Sequence, residues 1–386
     1  MTGKAIVLIL LAAIAAVAVV AVMAMPSDNS PDPVDPDDPV VVPLPKGISF
    51  DEKTGVLKSK SEVTWYVTDE LKEFYKIEKD PETGKDKYVA QRDLEPVIGK
   101  SITLAPGLYT VTVGEDTFKV IVDGKIHRVA SLDGPYGVDS YYFNGQRHTI
   151  TIEYDIDVRE IAVVTLENRE LNKSWKNDPD GYRFTDLTKA VYVNDTIRSI
   201  ESQMRQKFIE IGGDINNKQS YADFLVSFAQ LGVDYPNRGE ENRTDYEVWG
   251  EASEYWANSL ETLLFLKGDC EDSAAVACSI LKAAGYDVAM VGVGARGGGH
   301  VTAAVALDSF IETSKEELGK YSRTPGIFKV GSGTSAVETD PSDVVYYGVD
   351  TTEGQLPVGY MLGSSVELIG ANSPWGICGF YPVPSN

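Results

Sequence analysis

Apolar residues along this chain follow three rhythms, and each predicts a different kind of structure. From Ala5 to Met25 every residue is apolar. At a rise of ~1.5 Å per residue such a run just spans a hydrocarbon core of about 30 Å, so a transmembrane helix is expected within residues 1–25. Lys4 is the only charged side chain ahead of it, whereas Asp28, Asp32, Asp35, Asp37 and Asp38 follow. The positive-inside tendency then puts the N-terminus in the cytoplasm and the rest of the chain outside, as a single-pass protein of the cell membrane. A cleaved signal peptide is the alternative, favoured by small residues near Ala24, although its apolar core usually runs only ~7 to 15 residues. Pro26 to Pro45 holds seven prolines and neither Lys nor Arg. That composition stays extended and buries no core, which makes residues 26–46 a linker.

From Gly47 to about Asp157 the rhythm has period two, clearest in Leu108–Val113, Thr117–Val122 and Thr149–Ile152. Alternating β-branched and aromatic residues predict strands, and Pro106-Gly107 and Asp123-Gly124 supply turns between them. A small β-sandwich-like domain built of hairpins is expected over residues 47–160.

After Asp186 the period lengthens. Apolar residues three and four apart over Val193–Ile211 and Tyr221–Leu231 predict two amphipathic helices. The alanine-rich stretch that begins at Cys270 is a strong helix former, with Asp269 placed to cap its start and Gly285 to stop it. Strands are expected at Val288–Val293 and Val301–Leu307, joined by a turn over Gly294–Gly299, and at Val344–Val349, which ends at Asp350. Helices followed by strands indicate an α+β domain over residues 161–386.

Composition narrows the function. A chain of 386 residues with 43% hydrophobic content can bury a proper core. The formal charge of -23 argues against a nucleic-acid partner, because a phosphate-binding face needs clustered Lys and Arg. Three cysteines, Cys270, Cys278 and Cys378, are too few for a disulfide framework. Cys278 reads as a small packing residue, and whether it pairs with Cys378 is open. His127 and His148 fall in the β region without a second ligand at metal spacing, and receive no role. Sequons begin at Asn172, Asn194 and Asn242, glycosylation candidates in an extracytoplasmic chain.

The chemistry concentrates around Cys270. Unpaired N–H groups and the positive end of the dipole favour a thiolate in the first turn of a helix. His300 lies where a strand begins and Asp350 where another ends. Packed on that helix, an antiparallel sheet brings the imidazole to the sulfur and the carboxylate to the imidazole. Singly, each residue has an ordinary structural explanation, a buried Cys, a satisfied His or a turn Asp. In the order Cys, His, Asp on a helix tip and two strands, they point to covalent catalysis.

These residues resemble the transglutaminase-like superfamily, and within it the prokaryotic transglutaminase-like cysteine proteinases. The resemblance covers about Asp186 to Gly354 and rests on Tyr255-Trp256, Glu261-Thr262-Leu263, Gly268-Asp269-Cys270-Glu271-Asp272, Phe228-Ala229-Gln230 with Tyr235, and Gly299-His300. It implies a papain-like α+β core with Cys270 as nucleophile, His300 as general base and acid, and Asp350 as the group orienting the imidazole. The interval from His300 to Asp350 is longer than in such proteins, which implies an insertion around Ser309 to Asp343 and leaves Asp340 and Asp343 as rivals for the third role. The backbone N–H of Cys270 is one expected oxyanion donor, with Gln230 or Trp256 as candidates for the second. No cofactor is required by this chemistry. Some relatives are expected to bind calcium beside the cysteine, here through Asp269, Glu271 and Asp272. Three acids from one short stretch do not complete a shell of six to eight oxygens, and capping of the helix start is the simpler role for them. The expectation is a cysteine peptidase acting on protein or peptide substrates at the cell surface. A protein cross-linking transglutaminase and a non-catalytic surface module are the alternatives.

Overall fold

Alternation of buried and exposed residues explains the first sheet directly. In Asp116–Val122, Phe118, Val120 and Val122 turn inward, and Leu57, Trp65, Val67, Ile102, Leu104, Tyr109 and Val111 meet them in one apolar cluster. The computed structural model describes residues 44–133, 140–176, 184–235, 245–250, 254–295, 298–312, 323–325, 327–329, 344–352, 354–362 and 377–384. The apolar run Ala5–Met25, most of the linker, Asn242, Asp340 and Asp343 lie outside the described residues. Among those described, no helix is long and apolar enough to cross a membrane.

Four strands of the first sheet run in the order Ile48–Asp51, Val56–Asp69, Gly107–Val113 and Asp116–Val122, and Val97–Thr103 pairs with the second of them. Tyr75–Lys79 and Asp86–Ala90 form a separate antiparallel hairpin. The antiparallel ladder of Lys125–Ser131 with Thr151–Asp157 behaves differently: Ile152, Tyr154 and Ile156 point into a second, larger core shared with the helices that follow.

Those helices are α1 (Val158–Lys176), α2 (Asp195–Glu210), α3 (Lys218–Ser227), α4 (Ser259–Phe265) and α5 (Cys270–Ala283). Asn194 caps α2 by accepting from the Ile197 N–H at 3.0 Å, and Asn217 caps α3 by accepting from Ser220 at 3.1 Å. α3 runs on into a wide π-type turn, Phe228–Gly232. α5 is buried almost all round, with Ala274, Ala275, Val276, Ala277, Cys278, Ile280 and Leu281 shielded from solvent. Its small residues let it lie close on the sheet, while Val276, Ile280 and Leu281 each contribute roughly 1.5–3 kcal/mol by burial.

Among the described residues the second sheet has seven strands, in the order Arg323–Pro325, Tyr360–Leu362, Val345–Val349, Gly298–Ala306, Val288–Ala295 and Ile377–Pro382, with Ile327–Lys329 pairing Val345–Val349. The chain is α+β, with helices packed against a largely antiparallel sheet. Two details differ from expectation. Pairing continues through the glycines to Ala295 and resumes at Gly298, so His300 sits inside its strand opposite Val293 rather than at the start. Helix α1 was not expected, because its inward face carries Thr165, Asn168 and Asn172 among its apolar residues.

Candidate active site

Gly268 fixes the approach to the helix tip. A Cβ there would fall 2.6 Å from the Asp272 Cβ, so only glycine lets this turn close. The carbonyl of Asp234 accepts from the Gly268 N–H at 3.0 Å, and the Asp234 N–H donates to Leu266 at 2.8 Å, which locks Asp234-Tyr235 alongside the approach to Cys270. Cys270 is the first residue of α5 and half-buried. Its thiol donates to Glu271 Oε2 at 3.1 Å.

His300 and Asp350 come from neighbouring strands. Ala303 pairs with Val349, so the two strands run side by side and bring Asp350, just past the end of one, near His300 on the other. His300 Nε2 lies 3.8 Å from Asp350 Oδ1, an ion-pair separation longer than a hydrogen bond. Burial opposes charge on the ring, but interactions with Asp350 and Cys270 outweigh it and push the imidazole pKa up to about 10. Asp350 is fully buried, and its Oδ1 accepts from the Thr352 N–H at 3.1 Å and hydroxyl at 2.7 Å. Thr302 donates to the Val349 carbonyl at 2.6 Å. Ser273, one turn along α5, donates to the Asp269 carbonyl at 2.5 Å and meets the Thr351 hydroxyl.

Neither expected second oxyanion donor has a hydrogen free in this arrangement. Gln230 donates to the carbonyls of Asp350 and Leu356, each at 2.9 Å. The Trp256 indole N–H donates to Glu254 at 3.2 Å. Burial raises the pKa of Tyr235, in the locked Asp234-Tyr235 segment, and the charges of Cys270, Asp269, Glu271 and Asp350 add to the shift.

Carboxyl groups crowd the thiol. Asp269, Glu271 and Asp272 are all buried. Asp272 turns to the backbone, accepting from the Ala257 N–H at 2.8 Å and from that of Asp269 at 3.4 Å. In its place Asp245 and Glu254 approach Asp269, with one oxygen from each of the three within 4.8 Å of the others. Ligand atoms of Asp269, Cys270 and Glu271 form a second group of the same span. Asp245 Oδ1 and Oδ2, Asp269 Oδ1 and Glu271 Oε1 are buried without a hydrogen-bond partner. Burial, reinforced by Asp269 and Glu254, raises Asp245 to about 10. Burial also raises Asp269 to about 6, and raises Glu271 and Asp272 well above the carboxylate range. Unsatisfied hard oxygens of this kind fit a calcium ion, which takes six to eight such ligands.

Asp245 and Glu254 were not legible as site residues, since nothing in their spacing links them to Cys270. His127 pairs with Asp155 at 3.0 Å on the exposed face of its ladder, and among the described residues neither it nor His148 belongs to a cluster of three side chains that could hold a metal. Cys278 is a free, buried thiol that donates to the Ala289 carbonyl at 3.4 Å, and burial raises its pKa to about 12. Asn172, one of the sequon asparagines, faces inward. Its amide is buried, donating to the Trp256 carbonyl at 3.1 Å and accepting from the Trp256 N–H at 2.9 Å.

Comparison with family models, with curated proteins and with solved structures found no match to this chain. What the site does is read from its own atoms.

Proposed function

We propose that this chain is a membrane-anchored, extracytoplasmic cysteine peptidase with a transglutaminase-like, papain-like core, preceded by a β-sandwich-like region and tethered through Ala5–Met25. One observation carries the reading. A mostly buried imidazole interacts with a thiol at a helix tip and with a buried carboxylate, and these partners hold its proton against the cost of burial. A structural histidine in an apolar core needs neither.

With Asp350 on the Nε2 side, Nδ1 is the ring nitrogen left to address the sulfur. The Cys270 thiolate attacks the carbonyl carbon of a peptide bond, forming a C–S bond while the Cys270 backbone N–H steadies the oxyanion. The C–N bond then breaks, the imidazolium hands its proton to the departing amine, and a thioester remains. Water, deprotonated by the neutral imidazole, releases the acid and restores the thiol. Substrates are protein or peptide chains at the cell surface, and nucleic acid is not among the partners.

Calcium fits beside the thiol, with Asp245, Glu254, Asp269 and Glu271 as the residues that would hold it; Asp272, engaged with backbone N–H groups, is the weakest of the acids first considered. When bound it supplies positive charge where buried carboxyls otherwise oppose one another and the thiolate.

The test combines labelling and product analysis. A thiol-directed electrophile is expected to modify Cys270 faster than a model thiol, and the His300→Ala variant is expected to lose that advantage. Incubation with surface proteins is expected to yield new termini, absent with Cys270→Ala. Isopeptide-linked products without new termini would replace the peptidase by a cross-linking enzyme. A Cys270 no faster than a model thiol would leave a non-catalytic surface module.

A further inference from the structure

We infer that Gln230 is a positioning residue, whose carboxamide clamps the turn following Asp350 and so holds that carboxylate against His300. The inference rests on the Cys270–His300–Asp350 reading above.

Gln230 sits in the π-type turn Phe228–Gly232, where the widened backbone carries it out of the register of α3 and toward the end of the strand bearing Asp350. Its side chain is buried, and both N–H bonds go to backbone carbonyls, those of Asp350 and Leu356 at 2.9 Å. The orientation is set by chemistry, because a reversed amide would face its oxygen toward two other oxygens. The consequence is a buried Oε1 with no partner. An unsatisfied buried acceptor of this kind is destabilising. Two donors gripping the Asp350 turn are the feature that offsets it.

Other contacts secure the same turn from outside. Asp223 accepts from the Val358 N–H at 2.7 Å, while Gln355 donates to the Ser140 carbonyl at 2.6 Å and accepts from Tyr142 at 2.7 Å. Gln230 differs because it grips the carbonyl of Asp350 itself, the residue 3.8 Å from the imidazole. Losing it frees the carboxylate to drift, and an imidazolium without its counter-charge gives up its proton earlier.

The chain has three histidines, so ring-labelled histidine gives an NMR titration with His127 and His148 as internal references. In the full ectodomain His300 is expected to titrate far above the ordinary histidine value of 6.5. Gln230→Met is expected to lower that midpoint by about one unit or more, and Asp350→Asn is expected to do the same. The double variant is expected to fall no further than Asp350→Asn alone, since both act through one carboxylate. Should Gln230→Met not fold, Gln230→Asn keeps the amide but falls short of the carbonyls and gives the same reading. A variant that melts earlier yet leaves the His300 midpoint in place, or a double variant whose shifts simply add, overturns the inference and leaves the triad standing. A wild-type His300 titrating near 6.5 overturns both.

Discussion

The hydroxyls of Ser273 and Thr351 lie 2.6 Å apart and join the Cys270 helix to the residue after Asp350. Ser273 has one hydrogen, directed to the Asp269 carbonyl at 2.5 Å, so Thr351 is the donor of the pair. Two of the three elements that build the site are thereby tied directly, one turn below the sulfur. Ser273→Ala is expected to cost about 1–3 kcal/mol in urea unfolding, because it leaves the buried Thr351 hydroxyl without its acceptor. Adding Thr351→Val is expected to recover part of that loss. A double variant less stable than Ser273→Ala would remove the pair from this account.

Stability should fall as pH rises in calcium-free solution. A carboxyl whose folded pKa exceeds its unfolded value binds a proton more tightly in the folded state, so raising the pH favours unfolding across the interval between the two. The interval runs from 3.8 to about 6 for Asp269, to about 7 for Asp223 and to about 10 for Asp245. His300 acts in the same direction: its contribution is complete below 6.5 and disappears as pH passes about 10. Melting temperature without calcium is therefore expected to be higher near pH 5 than near pH 8. A flat or rising profile would contradict these shifts.

Calcium is expected to raise the melting temperature at pH 8, by an amount that grows with its concentration. Asp245→Asn is expected to stabilise the calcium-free protein, by removing a buried carboxyl from a crowded group, and to weaken the response to calcium. An undiminished response in that variant would take Asp245 out of the ligand set.

Asn172→Leu is expected to destabilise by about 1–3 kcal/mol, since it leaves the Trp256 N–H without its acceptor. Expression in a glycosylating host should leave Asn172 unmodified, which peptide mass mapping would check.

Cys278 is expected to resist alkylation in the folded protein at pH 8 and to react once the chain is unfolded, whereas Cys270 reacts in both. Burial and a thiol pKa near 12 both protect it.

The elements that sequence patterns caught are those whose local chemistry and burial agree. Phe118, Val120 and Val122 alternate and face one core, and Cys270 starts a helix whose alanines would favour it anywhere. Pattern failed at α1 because Asn168 and Asn172 face inward to hold the Trp256 backbone, a task that breaks an apolar stripe. Glycines led to a turn where the sheet continues, since ladder pairing uses backbone groups alone. Sequence made Gln230 a candidate oxyanion donor, but the direction of its amide depends on two carbonyls more than a hundred residues downstream. Asp245 and Glu254 reach Asp269 only through tertiary packing, which no spacing encodes.

Asp245 owes its place to a brace from the N-terminal half of the chain. The segment Asp245–Trp249 is held where the Val248 carbonyl accepts from the Phe74 N–H and the Arg92 guanidinium, both at 3.0 Å, and where Tyr246 stacks on Tyr75. Glu73 adds an ion pair to Lys267 at 2.7 Å, just ahead of the cysteine turn. A truncated fragment beginning near residue 161 would lose every one of these struts. Anyone producing the second half by itself would purify a protein whose acidic wall had come adrift, and silence in an assay of that fragment would say nothing of the intact molecule.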